Sequence, residues 1–193
     1  MLCVPDRRAL VLGSRQHDDL IAGDRLDARG IELAYRRSGG GVVMVDPADS
    51  VWIDVIVPRS DARFGDDIRS DMMRIGEAWR QALLAVGADP APMSVHGPHM
   101  MNDAWGDLIC FAGSGPGEVM VDGEKLVGIS QRRTNAWLRF QCQIHLVDPT
   151  DLILDLLREC PQGVPRRPAV ASSVIDGPLS GLDLAEAIAD VIG

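Results

Sequence analysis

The chain has 193 residues, of which 46% are hydrophobic, and it carries a formal net charge of −9. This composition excludes an intrinsically disordered chain, and the negative charge argues against nucleic-acid binding, which requires a basic face. No apolar run approaches the roughly 20 residues that span a bilayer, so we expect no membrane insertion. The sequence shows no signal-peptide pattern, and its four cysteines form no CxxC pair. We therefore predict a cytoplasmic protein with reduced thiols.

Apolar runs that stop at glycine or proline predict the elements of the N-terminal half. We expect strands over residues 9–13, 31–35, 42–45 and 51–57, and helices over residues 24–30 and 67–86. In the last of these strands Asp54 lies on the face opposite the valines. It stands either at a solvated edge, which we expect, or directed into a pocket.

The C-terminal half begins with a long aperiodic stretch over residues 88–105, which is predicted to be a loop. Asp122-Gly123 is a strong turn signal and predicts a hairpin. The elements expected here are hairpin strands over 118–122 and 125–130, a strand over 137–147, and helices over 152–157 and 182–192.

Length and composition together predict one α/β domain over residues 1–193. Its core is expected at about residues 9–160. Residues 161–193 are expected to form a proline-rich linker, with its prolines and arginines over 161–168, and then the C-terminal helix.

A run of two arginines, a serine and three glycines is the first functional signal, and it comprises Arg36, Arg37, Ser38, Gly39, Gly40 and Gly41. Consecutive glycines are kept where no side chain can be tolerated. Their free amides and the neighbouring guanidiniums can together bind an anion. The run therefore indicates a cradle for a ligand's phosphate or acyl chain. A glycine-rich hairpin turn flanked by solvated arginines is the alternative.

A second motif occupies residues 123–133, where Lys125 stands in an apolar strand punctuated by glycines. Together with the Arg-Arg-Ser-Gly-Gly-Gly run, it resembles the lipoate–protein ligase A family, within the wider biotin and lipoate attachment enzymes. The resemblance extends from about residue 10 to about residue 149. It implies a mixed, mostly antiparallel sheet flanked by helices, as in the biotin/lipoate ligase catalytic domain.

The resemblance implies an enzyme that activates lipoate or octanoate with ATP and passes the acyl group to a carrier lysine. Lys125 would be the catalytic cation beside the carboxyl carbon and the phosphate, and Mg²⁺ would shield the pyrophosphate. The substrate and nucleotide would be held by Arg36, Arg37, Ser38, Gly39, Gly40, Gly41, Glu118, Gly128 and Ser130. The implied partners are lipoyl carrier domains of 2-oxo acid dehydrogenase complexes or the glycine cleavage H protein.

Cys110, which precedes Phe111, supports a second interpretation. A Cys-Phe dipeptide stands at this place in the octanoyl-transfer branch that resembles the ligases, and there the cysteine is the acyl nucleophile. Cys110 would then attack an acyl thioester without ATP, and Lys125 would favour its thiolate. A buried structural cysteine is the alternative. Two features favour the ligase. The glycine-rich run has serine at position 38, as the resembling ligases do, and the positive charge of Arg132 and Arg133 suits an acyl-adenylate.

The chain also departs from the family pattern. A family histidine is replaced by Cys142, and His145 falls three positions later, which leaves the acyl specificity open. The family's usual N-terminal strand and first helix are not expected before residue 10, and neither is the C-terminal accessory domain that some ligases carry. A partner-dependent subunit or a non-catalytic acyl-binding module is therefore a third possibility. His96 and His99 have no further ligand at matching spacing, and we predict no metal site.

Overall fold

A computed structural model describes residues 1–89, 93–161 and 179–193 of the chain. The strands are β1 (Leu2–Cys3), β2 (Ala9–Leu12), β3 (Glu32–Tyr35), β4 (Val43–Val45), β5 (Ser50–Pro58), β6 (Met93–Val95), β7 (Val119–Val121), β8 (Glu124–Arg133) and β9 (Trp137–His145). The α-helices are α1 (Gly23–Arg29), α2 (Ile68–Ala85), α3 (Ala104–Leu108), α4 (Thr150–Leu156) and α5 (Gly181–Ile192). Short 3-10 turns lie at Asp18–Leu20 and Cys110–Ala112.

The strands form two sheets. The larger has the order β1-β5-β9-β8-β7-β6, and each neighbouring pair is antiparallel. The smaller has the order β3-β2-β4, in which β2 runs parallel to β3 and antiparallel to β4. The predicted fold class, a mixed and mostly antiparallel α/β arrangement flanked by helices, is therefore confirmed.

Two main hydrophobic cores hold these layers, and a small third cluster contains Val43 and Phe111. The larger lies between the six-stranded sheet and helices α2 and α5, with Trp79 of α2 fully buried in it. The inward face of β5 contributes Val51, Ile53, Val55 and Val57, as its alternation predicts. The smaller core joins the three-stranded sheet to α1, α3 and α4. The large sheet thus uses one face for packing and leaves part of the other for a site.

Asp54 is an exception to its predicted environment. It is fully buried, because β5 is an interior strand between β1 and β9. Its carboxylate accepts hydrogen bonds from Arg139 Nε at 2.6 Å and from Trp52 Nε1 at 3.0 Å. The expectation of a solvated edge is wrong, because the short strand β1 covers β5 and the counter-charge comes from β9, which is distant in sequence.

Most predicted elements appear within one or two residues of their expected ends. Gly30 ends α1 with φ 61°, and Asp122-Gly123 turns the β7–β8 hairpin with φ values of 49° and 84°. The predicted loop over 88–105 is partly wrong, because it contains β6 and the start of α3. The proline-rich stretch lies almost entirely outside the described residues. No helix in the described ranges is long and apolar enough to cross a membrane.

Gly76 of α2 gives a test of this packing. A Cβ at Gly76 would lie 1.8 Å from the carbonyl oxygen of Gly117, whereas one at Gly23 of α1 would meet no atom within 4 Å. We expect Gly76→Ala to lower the free energy of unfolding by about 1–3 kcal/mol, because overpacking forces the backbones apart. Gly23→Ala should leave it unchanged or raise it by up to about 1 kcal/mol. Urea denaturation measures both, and equal effects would contradict the close approach.

Candidate active site

A cavity of about 680 Å³ is lined by residues from both sheets. Its walls come from the glycine loop (residues 36–41), the segment over 100–118, and the central parts of β8 and β9. Eight of the residues predicted for the site line it, namely Arg36, Gly39, Gly40, Cys110, Glu118, Lys125, Gly128 and Ser130. The fold therefore brings the two sequence motifs and the Cys-Phe dipeptide to one place.

Lys125 is the only lysine in the sequence, and its residue is 3% exposed. Its Nζ lies 2.7 Å from Glu118 Oε2 and donates a hydrogen bond to the Cys110 carbonyl oxygen at 2.7 Å. The Phe111 ring centroid is 5.5 Å away. An ammonium group has three N–H donors, so these two contacts leave one donor for a ligand in the cavity.

Glu118 forms the other half of this buried ion pair and is 4% exposed. Oε2 also accepts a hydrogen bond from the Gly115 amide at 2.6 Å, and Oε1 accepts one from the Ile129 amide at 3.3 Å. Both carboxylate oxygens are therefore engaged by the protein itself. Gly117, with φ 79°, supplies the turn that places Glu118 between β8 and the segment before β7.

The glycine loop is closed by its own arginine. Arg36 Nη2 donates to the Gly41 carbonyl oxygen at 2.7 Å, and Arg36 Nε is buried with no partner among the described residues. Gly40 has φ 96°, and a Cβ there would lie 2.8 Å from Arg36 Nη2 and 3.5 Å from Cys110 Sγ. The positive φ therefore favours glycine at this position, whereas the Arg36 guanidinium ends a flexible side chain and could move aside.

Gly41 serves close packing and does not line the cavity. A Cβ at Gly41 would lie 2.5 Å from the carbonyl of Leu108. The Val42 amide donates to the Leu108 oxygen at 2.8 Å, and the Cys110 amide donates to the Val42 oxygen at 2.9 Å. These contacts fix the glycine loop to the segment that carries Cys110.

The remaining loop residues differ in their surroundings. Arg37 is exposed and is not among the residues that line the cavity, while Ser38 Oγ is buried without a partner in the described part of the chain. Gly39 lines the cavity, and a Cβ there would meet no atom within 4 Å. Of the two predicted arginines, Arg36 is therefore the one placed to contact a ligand.

Cys110 is partly buried and lines the cavity, and its Sγ lies close to Gly40. Its carbonyl oxygen accepts the hydrogen bond from Lys125 Nζ. Phe111 packs over Gly128, where a Cβ would lie 3.0 Å from two carbons of the ring. Gly128 thus admits the aromatic ring that flanks the Lys125 ammonium.

Among the lining residues that the sequence did not predict for the site are Trp52 of β5 and Gln141 and Gln143 of β9. Gln143 is 4% exposed, and its Nε2 donates to the Met44 carbonyl oxygen at 2.7 Å. The available signal was the alternation of Gln141 and Gln143 with apolar neighbours along β9, which indicates that one face of the strand is polar and enclosed.

Cys142 has the opposite orientation. It is fully buried in the larger core, and burial raises the pKa of its thiol. Cys142 therefore does not stand in the cavity as the replacement for a ligand-facing histidine, and Gln141 and Gln143 are the β9 side chains that do line it.

Arg132 and Arg133 also lie elsewhere than the sequence suggested. The Arg132 guanidinium lies 6.0 Å from the Trp137 ring centroid, and Arg133 forms an ion pair with the buried carboxylate of Asp71. Neither residue lines the cavity. The positive charge available there comes from Lys125, Arg36 and Arg15.

Among the described residues, no group of three or more His, Cys, Asp or Glu side chains is arranged to hold a metal ion. His96 Nε2 instead lies 2.9 Å from the His99 carbonyl oxygen.

His145 is 2% exposed, and its ring centroid lies 4.4 Å from that of Phe111. Burial lowers the pKa of His145 to about 4. In the unfolded chain the His145 imidazole takes up a proton near pH 6.5, whereas in the folded protein it does so only near pH 4. The contribution of the neutral ring to the free energy of unfolding is therefore complete above pH 6.5 and is lost as the pH falls toward 4.

We expect the parent protein to lose about 2 kcal/mol of unfolding free energy between pH 7 and pH 5 through His145 alone. His145→Leu should show a correspondingly smaller loss, because it has no imidazole to protonate. Urea denaturation of both proteins at the two pH values measures the difference. Identical pH dependence in the two would contradict a buried neutral histidine.

Solved structures share this fold over 96% of the chain. A protein of T. acidophilum with bound lipoic acid aligns with a TM-score of 0.68 at 20% identity, with 68% of its own chain covered. Lipoate-protein ligase A bound with ATP gives the same TM-score, identity and coverage. A bipartite lipoate protein ligase of Thermoplasma acidophilum, studied with its E2 lipoyl domain, gives 0.65 at 20% identity with 66% covered. At these identities the likeness establishes the fold.

A search of curated proteins finds no match to this sequence. Residues 1–164, by contrast, match the family described as the lipoyl protein ligase A/B catalytic domain. The match includes the glycine loop, Cys110, the Glu118–Lys125 pair and the β8–β9 wall of the cavity. The chain belongs to the lipoyl protein ligase A/B catalytic domain family.

Proposed function

We propose that this chain is a lipoate–protein ligase that activates lipoate, or octanoate, with ATP and transfers the acyl group to a lysine of a carrier domain. The observation that carries the proposal is the placement of Lys125, the sole lysine of the sequence, in the cavity beside the glycine loop. Family membership and the ligands of the similar structures, lipoic acid in one and ATP in another, support the same reaction.

In the first step, a carboxylate oxygen attacks the α-phosphorus of ATP, the new O–P bond forms, and pyrophosphate leaves. Two anions must approach each other, so cations have to offset the charge and hold the attack in line. The free N–H of Lys125 and the guanidinium of Arg36 suit this role. The amides of Gly39 and Gly40 can donate to the phosphate, because no Cβ intervenes.

The acyl chain requires an apolar channel beside this polar end. Val43, Trp52, Met72 and Ile129 supply apolar wall from four different elements. Gln141 is a polar exception on the same wall. The Gln141 amide can donate a weak hydrogen bond to a dithiolane sulfur, and it is also compatible with a plain octanoyl chain.

Mg²⁺ fits this site as a companion of the triphosphate. Magnesium usually keeps waters and phosphate oxygens as ligands and takes only one or two carboxylates from the protein. Asp107 lines the cavity and is exposed, and its carboxylate accepts a hydrogen bond from Asn102 Nδ2, whereas the Glu118 carboxylate is held by two amides and Lys125. Bound there, Mg²⁺ would neutralise part of the charge on the leaving pyrophosphate.

In the second step, the amine of a carrier lysine attacks the acyl carbonyl carbon, an amide forms, and AMP leaves. The proposed carriers are lipoyl domains of 2-oxo acid dehydrogenase complexes or the glycine cleavage H protein. An E2 lipoyl domain accompanies one of the similar ligases, which is bipartite. That ligase also makes a second subunit a reasonable addition to any assay that shows no turnover with this chain alone.

An acyltransferase is the second candidate, because Cys110 lines the same cavity. Its thiolate would attack an acyl thioester, expel the carrier thiol, and then yield the acyl group to the target lysine. Lys125 donates a hydrogen bond to the carbonyl oxygen of Cys110, and this contact positions the Cys110 backbone. The ligase remains the preferred proposal.

The ligase proposal predicts that Lys125→Met slows acyl-adenylate formation by about a hundredfold or more, because a cation that stabilises developing charge is lost. The assay combines protein, lipoate, ATP and a lipoyl domain, and intact mass follows both proteins. Because the variant contains no lysine, an amide-linked lipoyl adduct on it could reside only at the N-terminal amine. A folded variant with the parent's rate would exclude Lys125 from the chemistry.

Cys110→Ser separates the two candidates. A ligase should retain ATP-dependent lipoylation within about threefold, because no covalent bond to sulfur is needed. A transferase would instead lose its activity, and the parent would show an octanoyl mass adduct on Cys110 when given octanoyl thioester without ATP. That second pattern would replace the ligase proposal with the transferase.

A further inference from the structure

Glu118 is an unexpected group in this cavity. The proposed substrates are a carboxylate and a triphosphate, which are both anions, and a buried carboxylate repels them. Its oxygens also have partners already: Oε2 contacts Lys125 Nζ and the Gly115 amide, and Oε1 contacts the Ile129 amide. A direct role in binding either substrate would require breaking contacts that are buried.

We propose that Glu118 is the positioning residue of Lys125 and affects the reaction through that lysine. This inference rests on the proposed function, because the proposed function defines the reaction in which Lys125 takes part. It replaces the sequence-based expectation that Glu118 binds substrate or nucleotide.

The contacts explain why such a residue is needed. A lysine ammonium ends a flexible four-carbon stem, and its three donors rotate freely unless acceptors fix them. Glu118 Oε2 and the Cys110 carbonyl oxygen, each 2.7 Å from Nζ, provide two fixed acceptors. The amides of Gly115 and Ile129 hold the carboxylate in turn. The third N–H of Lys125 is thereby directed toward the remaining open side, which is the cavity.

A positioning role has a defined kinetic signature. Misplacing a catalytic group lowers the rate of the chemical step, whereas losing a substrate ligand raises KM. We therefore expect Glu118→Gln to lower kcat for lipoyl-adenylate formation about ten- to hundredfold, with KM for lipoate and for ATP within about twofold of the parent. Glu124→Gln is the matched control, because Glu124 begins the same strand β8 and does not line the cavity.

A double-mutant cycle with Lys125→Met tests whether the effect passes through the lysine. If it does, Glu118→Gln lowers the residual rate of Lys125→Met by no more than about twofold, measured in single-turnover reactions by mass spectrometry. Independent, multiplicative losses would overturn the proposal. So would a rise of KM for ATP, or a shifted Mg²⁺ dependence, in Glu118→Gln alone, because each indicates direct contact with the nucleotide or its metal.

The single lysine permits a readout that does not depend on activity. Protein grown with ¹³C,¹⁵N-lysine carries one labelled side chain, so its NMR spectrum reports Lys125 alone. We expect the ¹³Cε resonance to shift and broaden in Glu118→Gln and to stay unchanged in Glu124→Gln. Glu118→Asp keeps the charge but shortens the side chain, and it should give the same change if Glu118→Gln does not fold.

The two proposals can fail separately. If the parent protein forms no acyl-adenylate, either alone or with an added second subunit, the proposed function fails, while the NMR comparison still reports whether Glu118 orders Lys125. If the parent is active and a folded Glu118 variant leaves both the Lys125 resonance and kcat unchanged, the positioning role is excluded.

Discussion

A buried ammonium needs a counter-charge and fixed acceptors, and much of the cavity is arranged around this requirement. Lys125 and Glu118 are each less than 5% exposed, so both have lost nearly all of their hydration. Attraction between them offsets that loss only when the remaining donors and acceptors are also satisfied. The amides of Gly115 and Ile129 and the carbonyl of Cys110 meet that condition. One ion pair thus fixes β8, the segment before β7 and the turn after α3 relative to one another.

Glycine contacts then join the small sheet to this assembly. A Cβ at Gly13 would lie 1.9 Å from the Gly40 oxygen, and one at Gly41 would lie 2.5 Å from the Leu108 carbonyl. Both are backbone-to-backbone approaches, which no rotamer change could relieve. The first holds the glycine loop against the end of β2, and the second holds it against the residues just before Cys110, whose carbonyl binds Lys125. The loop and the ion pair therefore form one continuous structure, although they come from different sheets.

Local signals in the sequence predicted most of the elements. Apolar periodicity located α2 and β5, and Asp122-Gly123 located the hairpin, because these features depend on neighbours in the chain. The burial of Asp54 and the orientation of Cys142 depended on strand order and on partners such as Arg139, which local patterns do not contain. The motifs likewise identified residues that share a cavity, but they did not distinguish inward Arg36 from exposed Arg37.

The chemical identity of the single lysine follows from the same geometry. The other 18 cationic side chains are arginines, so the composition itself does not disfavour arginine at position 125. A planar guanidinium is larger than an ammonium and directs its donors in a rigid fork, which suits the two oxygens of a carboxylate. An ammonium can instead donate from one nitrogen to Glu118 Oε2, to the Cys110 carbonyl oxygen and to a ligand in the cavity. Arginines also remain protonated and are poor nucleophiles. Under the proposed function, Arg36 and Arg37 can attract anionic substrates without offering an amine that would compete with the carrier lysine for the activated acyl group.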